Sequence, residues 1–290
     1  DGIRDTSVTG VQTCALPILY WSTKVMAIKK SNKLVPDNDI CIKGSVRLSS
    51  DKSLSIRSVL FASIAYGISH IKITNPGEDA LTSIMAIKKL GIKVIKYKDN
   101  LSIYGLGIGY PVTKRKIVLN CRNSGTTLRL ITPLIAGSKI NAKIIGDQSL
   151  SRRPYRLEFL KEFLMYVKPS NKKFLPLEIK GHTDCIQAKI NINKPSAQMI
   201  TAATLAGISS YGETIIECPN NVRDHTSRLL KHLRYPIKIQ NNKKKQIIKV
   251  LGKQYLHPIK NYVVPSDISS SAFLICIAIL TEGKIGRAHV

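Results

Sequence analysis

Apolar residues fall along this chain in a pattern that recurs. Four segments each open on a polar turn containing Ser, run into an apolar stretch rich in small residues, and close on a Gly and a strand-like run. The first extends from Asp51-Lys52-Ser53 through Ala65, with Gly67 and a strand around 71–73. The second extends from Asn123-Ser124-Gly125 through Ala136, with Gly137 and a strand over 142–145. The third extends from Pro195-Ser196-Ala197-Gln198 through Ala206, with Gly207 or Gly212 and a strand over 214–217. The fourth extends from Ser266-Asp267-Ile268-Ser269-Ser270 through Leu280, then Gly283. The heading serines Ser53, Ser124, Ser196 and Ser269 stand 71, 72 and 73 residues apart. Self-similarity at a nearly fixed period marks a repeated structural unit.

Between these segments Leu81, Ile84, Met85, Ile87 and Leu90 keep a helical period, which predicts a helix over 79–90 stopped at Gly91. Residues 92–97 and 100–104 read as a strand pair with Lys98-Asp99 near the turn. Second helices are expected at 154–167 and 227–233. The unit is thus β-α-β-α-β-β; three units fit between about 45 and 255, and a fourth begins near 262. Such a succession gives an α/β class.

The 290 residues suffice for one large domain or two ordinary ones, and 43% hydrophobic content is ordinary for a globular chain. No apolar run reaches the roughly 18 residues of a membrane span, so no membrane role is expected. The run 272–280 is expected to be a buried helix. The charge of +27 changes the picture more. One reading is a polyanion partner. The other is codon bias, since Lys, Ile and Asn are all abundant. The basic residues are scattered, the dense run Lys243-Lys244-Lys245 sits in an expected loop, and aromatics at 6% do not interleave with cations as base-stacking platforms do. No nucleic-acid partner is expected on that basis. The six cysteines, Cys14, Cys41, Cys121, Cys185, Cys218 and Cys276, form no CxxC pair and no zinc-like cluster with His, so they are expected to be the reduced thiols of a cytoplasmic protein with no metal site.

Both ends look foreign. The tail 285–290 and residues 13–18 back-translate to one DNA segment read on opposite strands, as a sequencing adapter is. Segments 1–18 and 285–290 are therefore set aside. Met26 is then an expected start and the genuine sequence is expected to be cut after about Lys284. The remaining divisions are an N-terminal strand segment at 19–45, three repeated units over 46–258, and the start of a second lobe at 259–284.

A helix N-terminus offers unpaired N–H groups and about half a positive charge. Four like helix starts could aim at one cleft as an anion trap, or their serines could be N-caps and nothing more. Cations at matching places favour the trap: Lys52 before Ser53, Arg57 one turn after it, Arg129 after Ser124, Arg152-Arg153 before Pro154, and Arg223 before Asp224-His225. Arg grips phosphate and carboxylate bidentately and Lys acts as a compact charge. Gly105-Leu106-Gly107-Ile108-Gly109 is a turn rather than a nucleotide loop, because Pro111 follows instead of a helix. His182, His232 and His257 stand alone, and no Ser-His-Asp order or close acid pair suggests a hydrolase.

At these residues the chain resembles a known family. Asp51-Lys52-Ser53-Leu54-Ser55-Ile56-Arg57 is similar to the DKSxSxR signature of 5-enolpyruvylshikimate-3-phosphate synthases. Asn123-Ser124-Gly125-Thr126-Thr127-Leu128-Arg129 resembles their N-[AS]-G-T-x-x-R motif, and Gly146-Asp147-Gln148-Ser149-Leu150 with Arg153-Pro154 resembles GDxSLxxRP. Ser196-Ala197-Gln198, Arg223-Asp224-His225-Thr226 and Val264-Pro265-Ser266-Asp267-Ile268-Ser269-Ser270 follow in the family's order.

The resemblance, spanning about 42–280, implies an inside-out α/β barrel of repeated units, complete in one lobe and mostly missing in the other. It implies transfer of the enolpyruvyl group of phosphoenolpyruvate to the 5-hydroxyl of shikimate 3-phosphate, with release of phosphate, in aromatic amino-acid biosynthesis. It implies no metal or organic cofactor, two small-molecule partners, and a monomer when full length. Carried over by motif, Lys52 contacts both substrates and is placed to help proton transfer. Ser53, Arg57, Ser196, Gln198 and Arg223 hold shikimate 3-phosphate. Gly125, Arg153 and Gln198 line the phosphoenolpyruvate site, and Asn123 and Arg129 shape the loop. Gly125 in place of Ala implies sensitivity to glyphosate. The family's later acidic base and its remaining Lys and Arg ligands would lie past Lys284, so the fragment alone is expected to be inactive while binding shikimate 3-phosphate weakly, and to expose apolar surface.

Departures are Ser49-Ser50 for Pro-Gly, Tyr155 for Met and Val222 for Ser. The alternatives are a UDP-N-acetylglucosamine enolpyruvyl transferase, which usually has Lys-Asn at Lys52-Ser53 and a Pro-Gly-Gly-Cys-like loop not found here, a basic nucleic-acid-binding protein, and a fragment with no activity of its own.

Overall fold

The computed structural model describes residues 46–109, 116–171, 173–242 and 245–281. The segments set aside at 1–18 and 285–290 and the strand expected within 19–45 lie outside them. So do Lys243 and Lys244, whereas Lys245 opens a strand instead of sitting in a loop.

Each repeat folds around one four-stranded sheet. The first comprises α1 (Lys52–Ile64), β1 (Tyr66–Lys72), α2 (Glu78–Lys89), β2 (Lys93–Tyr97) and β3 (Asn100–Leu106). The second comprises β4 (Ile117–Asn120), α3 (Gly125–Ala136), β5 (Asn141–Ile145), α4 (Gln148–Ser151), a 3-10 turn at Glu158–Phe163, β6 (Tyr166–Asn171) and β7 (Phe174–Lys180). The third comprises β8 (Lys189–Asn191), α5 (Ala197–Ser209), β9 (Glu213–Pro219), α6 (His225–His232), β10 (Ile237–Asn241) and β11 (Lys245–Leu251). The short β12 (Tyr262–Val263) and α7 (Ile268–Leu280) follow.

The sheets run β4-β5-β7-β6, β8-β9-β11-β10 and β12-β1-β3-β2. In each, the first two strands are parallel and the other pairings antiparallel. The strand that the second and third units place ahead of their own helix therefore reaches the first unit from residues 262–263, paired with Ile71 and Lys72. The three-sheet body extends past the boundary drawn at 258.

The helices α1, α3 and α5 form the centre. Ile56, Val59, Leu60, Phe61, Leu128, Ile131, Ala202, Leu205 and Ile208 are all fully buried. Such side chains contribute roughly 1.5–3 kcal/mol each when aliphatic or aromatic and fully buried. A helix enclosed on every side needs its small polar residues satisfied locally. Thr132 donates to Leu128 O at 2.7 Å and Thr204 to Ile200 O at 2.8 Å, each back-bonding one turn. Close packing at the C-terminal ends also recurs. A Cβ on Gly105, Gly181 or Gly252 would strike the last-turn or following carbonyl oxygens of α1, α3 and α5 respectively. Only glycine lets the strand backbone come that close.

The heading serines play two roles. Ser124 and Ser196 cap α3 and α5, accepting from the N–H groups of Thr127 and Met199. In α1 and α7 the caps are Asp51 and Asp267, and Ser53 and Ser269 lie inside the first turn. The starts of α1 and α7 are side by side. Asp51 N–H donates to Pro265 O and Asp267 N–H to Ser49 O, around a Ser50–Ser266 bridge. Ser50, one of the departures, uses its hydroxyl twice: it donates to Val264 O and accepts from Thr74 N–H.

The helix expected over 154–167 is absent. Proline disfavours helical backbone in the residue before it, so α4 ends before Pro154. Arg156 and Leu164 then take left-handed φ of 59° and 60°. Only the 3-10 turn lies between them, and 166–167 begin β6. Helix α7 forms as expected but is not buried. Ile268, Phe273, Ile279 and Leu280 are largely exposed, and none of its residues is enclosed among the described residues.

Candidate functional site

The starts of α1, α5 and α6 meet at one side chain, Arg57. It lies one turn into α1 and is 2% exposed. Its Nε donates to Thr226 Oγ1 at 3.0 Å, its Nη1 to Ser53 O at 3.1 Å, and its Nη2 to Thr201 Oγ1 at 2.9 Å and Ala197 O at 3.4 Å. Thr201 and Thr226 are themselves 2.7 Å apart and share a hydrogen bond. Every one of these acceptors is uncharged. Burial accordingly pushes the guanidinium down to about 10, opposed by the field of Asp51 and reinforced by that of Arg223. Two further helix starts, of α5 and α6, point their partial positive charge into the same place. The electrostatics favour an anion.

A second junction joins α3 to α5. Arg129 donates from Nη1 to Gly125 O at 3.1 Å and to Gln198 Oε1 at 2.9 Å, and from Nη2 to Pro154 O at 3.0 Å. The amide nitrogen of Gln198 donates to Thr126 Oγ1 at 2.8 Å. Burial lowers the Arg129 pKa, and Arg156 and Arg153 lower it further.

The predicted residues divide as follows. Ser53 through its carbonyl, Arg57, Gly125, Arg129 and Gln198 belong to these two junctions, and Ser196 caps α5 next to Ala197. Arg223 is exposed in the loop before α6 and reaches Arg57 through its field. Arg153 is exposed, with Nη2 donating to Ser149 Oγ at 2.8 Å. Lys52 stands at the start of α1, 56% exposed, and pairs with Asp79 at 3.4 Å, which ties α1 to the start of α2. Asn123 lines a hollow of about 120 Å³ with Glu78, Asp79, Thr82, Arg122, Ser124 and Asp147.

Sequence reasoning missed Thr201, Thr226 and Asp79. Thr226 stood in the quoted Arg-Asp-His-Thr run, and Thr201 lies one turn beyond Ala197, where a residue on the same helix face could have been looked for. Asp79 had no signal beyond its place in the first turn of a helix. Ser55, inside the first motif, is 1% exposed and its hydroxyl has no partner among the described residues. Nothing else in the structure accounts for it.

The family model for EPSP synthase (3-phosphoshikimate 1-carboxyvinyltransferase) matches residues 38–289. The 3-phosphoshikimate 1-carboxyvinyltransferase of Ruthia magnifica is 36% identical over 239 residues, covering 82% of this chain and 53% of that relative. The protein of that name from Coxiella burnetii (strain CbuG_Q212) is 36% identical over 253 residues, covering 86% and 55%. The solved EPSP synthase from Acinetobacter baumannii superposes with a TM-score of 0.69 at 32% identity, over 79% of this chain and 52% of that one. The enolpyruvyl transferase NikO from Streptomyces tendae, at 15% identity and a TM-score of 0.56 over 81% and 54%, shares the fold. The chain spans about half the length of the curated relatives it matches. On motif order, fold and matched span together, it belongs to the EPSP synthase family.

Proposed function

We propose that this chain carries the shikimate 3-phosphate half-site of an enolpyruvyl transferase acting in aromatic amino-acid biosynthesis. The observation that carries the reading is Arg57, buried where three helices start, with four hydrogen bonds to uncharged acceptors for its five N–H groups and no carboxylate partner among the described residues. Ser53, Arg57, Ser196, Gln198 and Arg223 hold the phosphorylated acid. Lys52, Gly125, Arg153 and Gln198 face phosphoenolpyruvate, and Asn123 and Arg129 shape the loop. The substrate's 5-hydroxyl gives up its proton as its oxygen bonds to C2 of phosphoenolpyruvate and C3 takes a proton, a net addition of O–H across the double bond. The tetrahedral intermediate then expels phosphate and returns the C3 proton, restoring the double bond. Lys52, exposed and held by Asp79, is the cation positioned to contact both substrates and assist that proton. Fixed donors and cations of this kind supply most of the stabilisation of developing charge. No cofactor takes part, and the setting is a cytoplasmic monomer with small-molecule partners only.

Titration calorimetry on the 290-residue chain tests the reading with shikimate 3-phosphate, shikimate, inorganic phosphate and duplex DNA as probes. Shikimate 3-phosphate is expected to bind most tightly, with both parts of the molecule needed. Equal binding of phosphate alone, or salt-dependent binding of DNA without response to shikimate 3-phosphate, contradicts it.

A further inference from the structure

Arg129 is placed to do more than shape a loop. Its three acceptors come from three different segments: Gly125 opens α3, Gln198 lies in the first turn of α5, and Pro154 directly follows Arg153. Gln198 has its oxygen on Arg129 and its nitrogen on Thr126, so the direction of its amide is fixed by that arginine. Gly125 touches the same group. A Cβ there would stand 2.7 Å from Arg129 Nη1 and 3.6 Å from Leu150 Cδ1. The nearer atom is the end of a flexible side chain and could swing aside in isolation. Here it is held on both sides, so displacement would disturb Gln198. The backbone of Gly125 is ordinary helix, and alanine there carries no conformational penalty.

We infer that Arg129 is the positioning residue that orients Gln198, and that a methyl at position 125 acts on the site through Arg129. The inference rests on the proposed role of Gln198 as a ligand-facing group for its functional consequence, while the orientation itself stands without any ligand. A substitution at 125 would thus change the site through its neighbour as well as through any direct crowding of a ligand.

The test follows the side-chain amide signals of Gln198 by ¹H–¹⁵N NMR on the whole chain, in wild type, R129M, R129K, G125A and the G125A/R129M double variant. The expected result is that R129M and G125A each move these signals and weaken their protection from exchange. R129K restores them in part at most, and G125A adds nothing once Arg129 is gone. Unchanged Gln198 signals in R129M, or independent additive shifts in the double variant, overturn the inference; if R129M does not fold, unchanged signals in G125A and R129K do the same. Shikimate 3-phosphate affinity is measured on the same samples, where R129M is expected to bind about tenfold more weakly. Wild-type protein that binds no shikimate 3-phosphate contradicts the proposed function and leaves the amide result standing by itself.

Discussion

Arg57 and Arg129 are both held below the ordinary arginine range by burial, yet they are wired differently. Arg57 is enclosed by α1, α5 and α6 and bonds two hydroxyls that can satisfy each other, plus carbonyls from helix first turns. Arg129 is only partly buried and bonds a side-chain amide and two carbonyls in separate segments. Removing the first would take away charge and leave few orphaned partners. Removing the second would take away geometry. One arginine supplies the field at the helix starts and the other fixes what surrounds it.

The largest expected effect separates these roles. R57M should lower shikimate 3-phosphate affinity by at least about a hundredfold, the usual consequence of deleting one member of a buried charged contact. Its thermal midpoint should hardly fall, because an apolar side chain of similar volume often replaces a buried charge without loss. Calorimetry beside a melting curve checks both halves, and a large loss of stability with affinity retained would reverse the assignment of roles. T226V comes next. It deprives Arg57 Nε of its acceptor and should cost about 1–3 kcal/mol of unfolding free energy, measured by urea denaturation, with a smaller loss of affinity than R57M. S124A should remove about 1 kcal/mol by deleting the α3 cap. S55A should leave stability unchanged or raised, since its buried hydroxyl has no partner among the described residues to lose.

The smallest effect is a titration. Burial first, then Arg57 and Arg223, hold His225 below the ordinary histidine pKa, with Asp51 and Asp224 opposing. The unfolded chain therefore takes up that proton first as pH falls, and this group's contribution to stability is lost as pH drops through roughly 6.5 and below. Shikimate 3-phosphate bound beside Arg57 should raise the His225 midpoint in an NMR titration. No movement would place the anion elsewhere.

Much of this was visible in the residues, for physical reasons. Helices α1, α3 and α5 are enclosed on all sides, so their composition alone marks them as apolar stretches with a polar start. The β2–β3 pair is two short apolar runs around Lys98-Asp99, which read as an antiparallel strand pair. The region 154–167 misled because its apolar spacing fits a helix, while the left-handed backbone at Arg156 and Leu164 confines the helical part to the 3-10 turn between them. The source of the fourth strand in the first sheet was hidden, since a two-residue strand at 262–263 has no periodicity to detect. In the site, motif cations announced themselves, but Thr201, Thr226 and Asp79 matter through pairings between segments far apart in the chain, and spacing along the chain carries no sign of those. Likewise α7 has the composition of an enclosed helix, and its exposure depends on what stands beside it.

The central claim is that the first turns of α1, α5 and the region opening α6 form one binding surface for a phosphorylated acid. Its most direct test is a backbone ¹H–¹⁵N NMR titration of the chain with shikimate 3-phosphate. Shifts should concentrate at 53–57, 196–201 and 223–226 and disappear in R57M. Shifts spread over scattered surface lysines, or confined to any one of those three stretches, would contradict it.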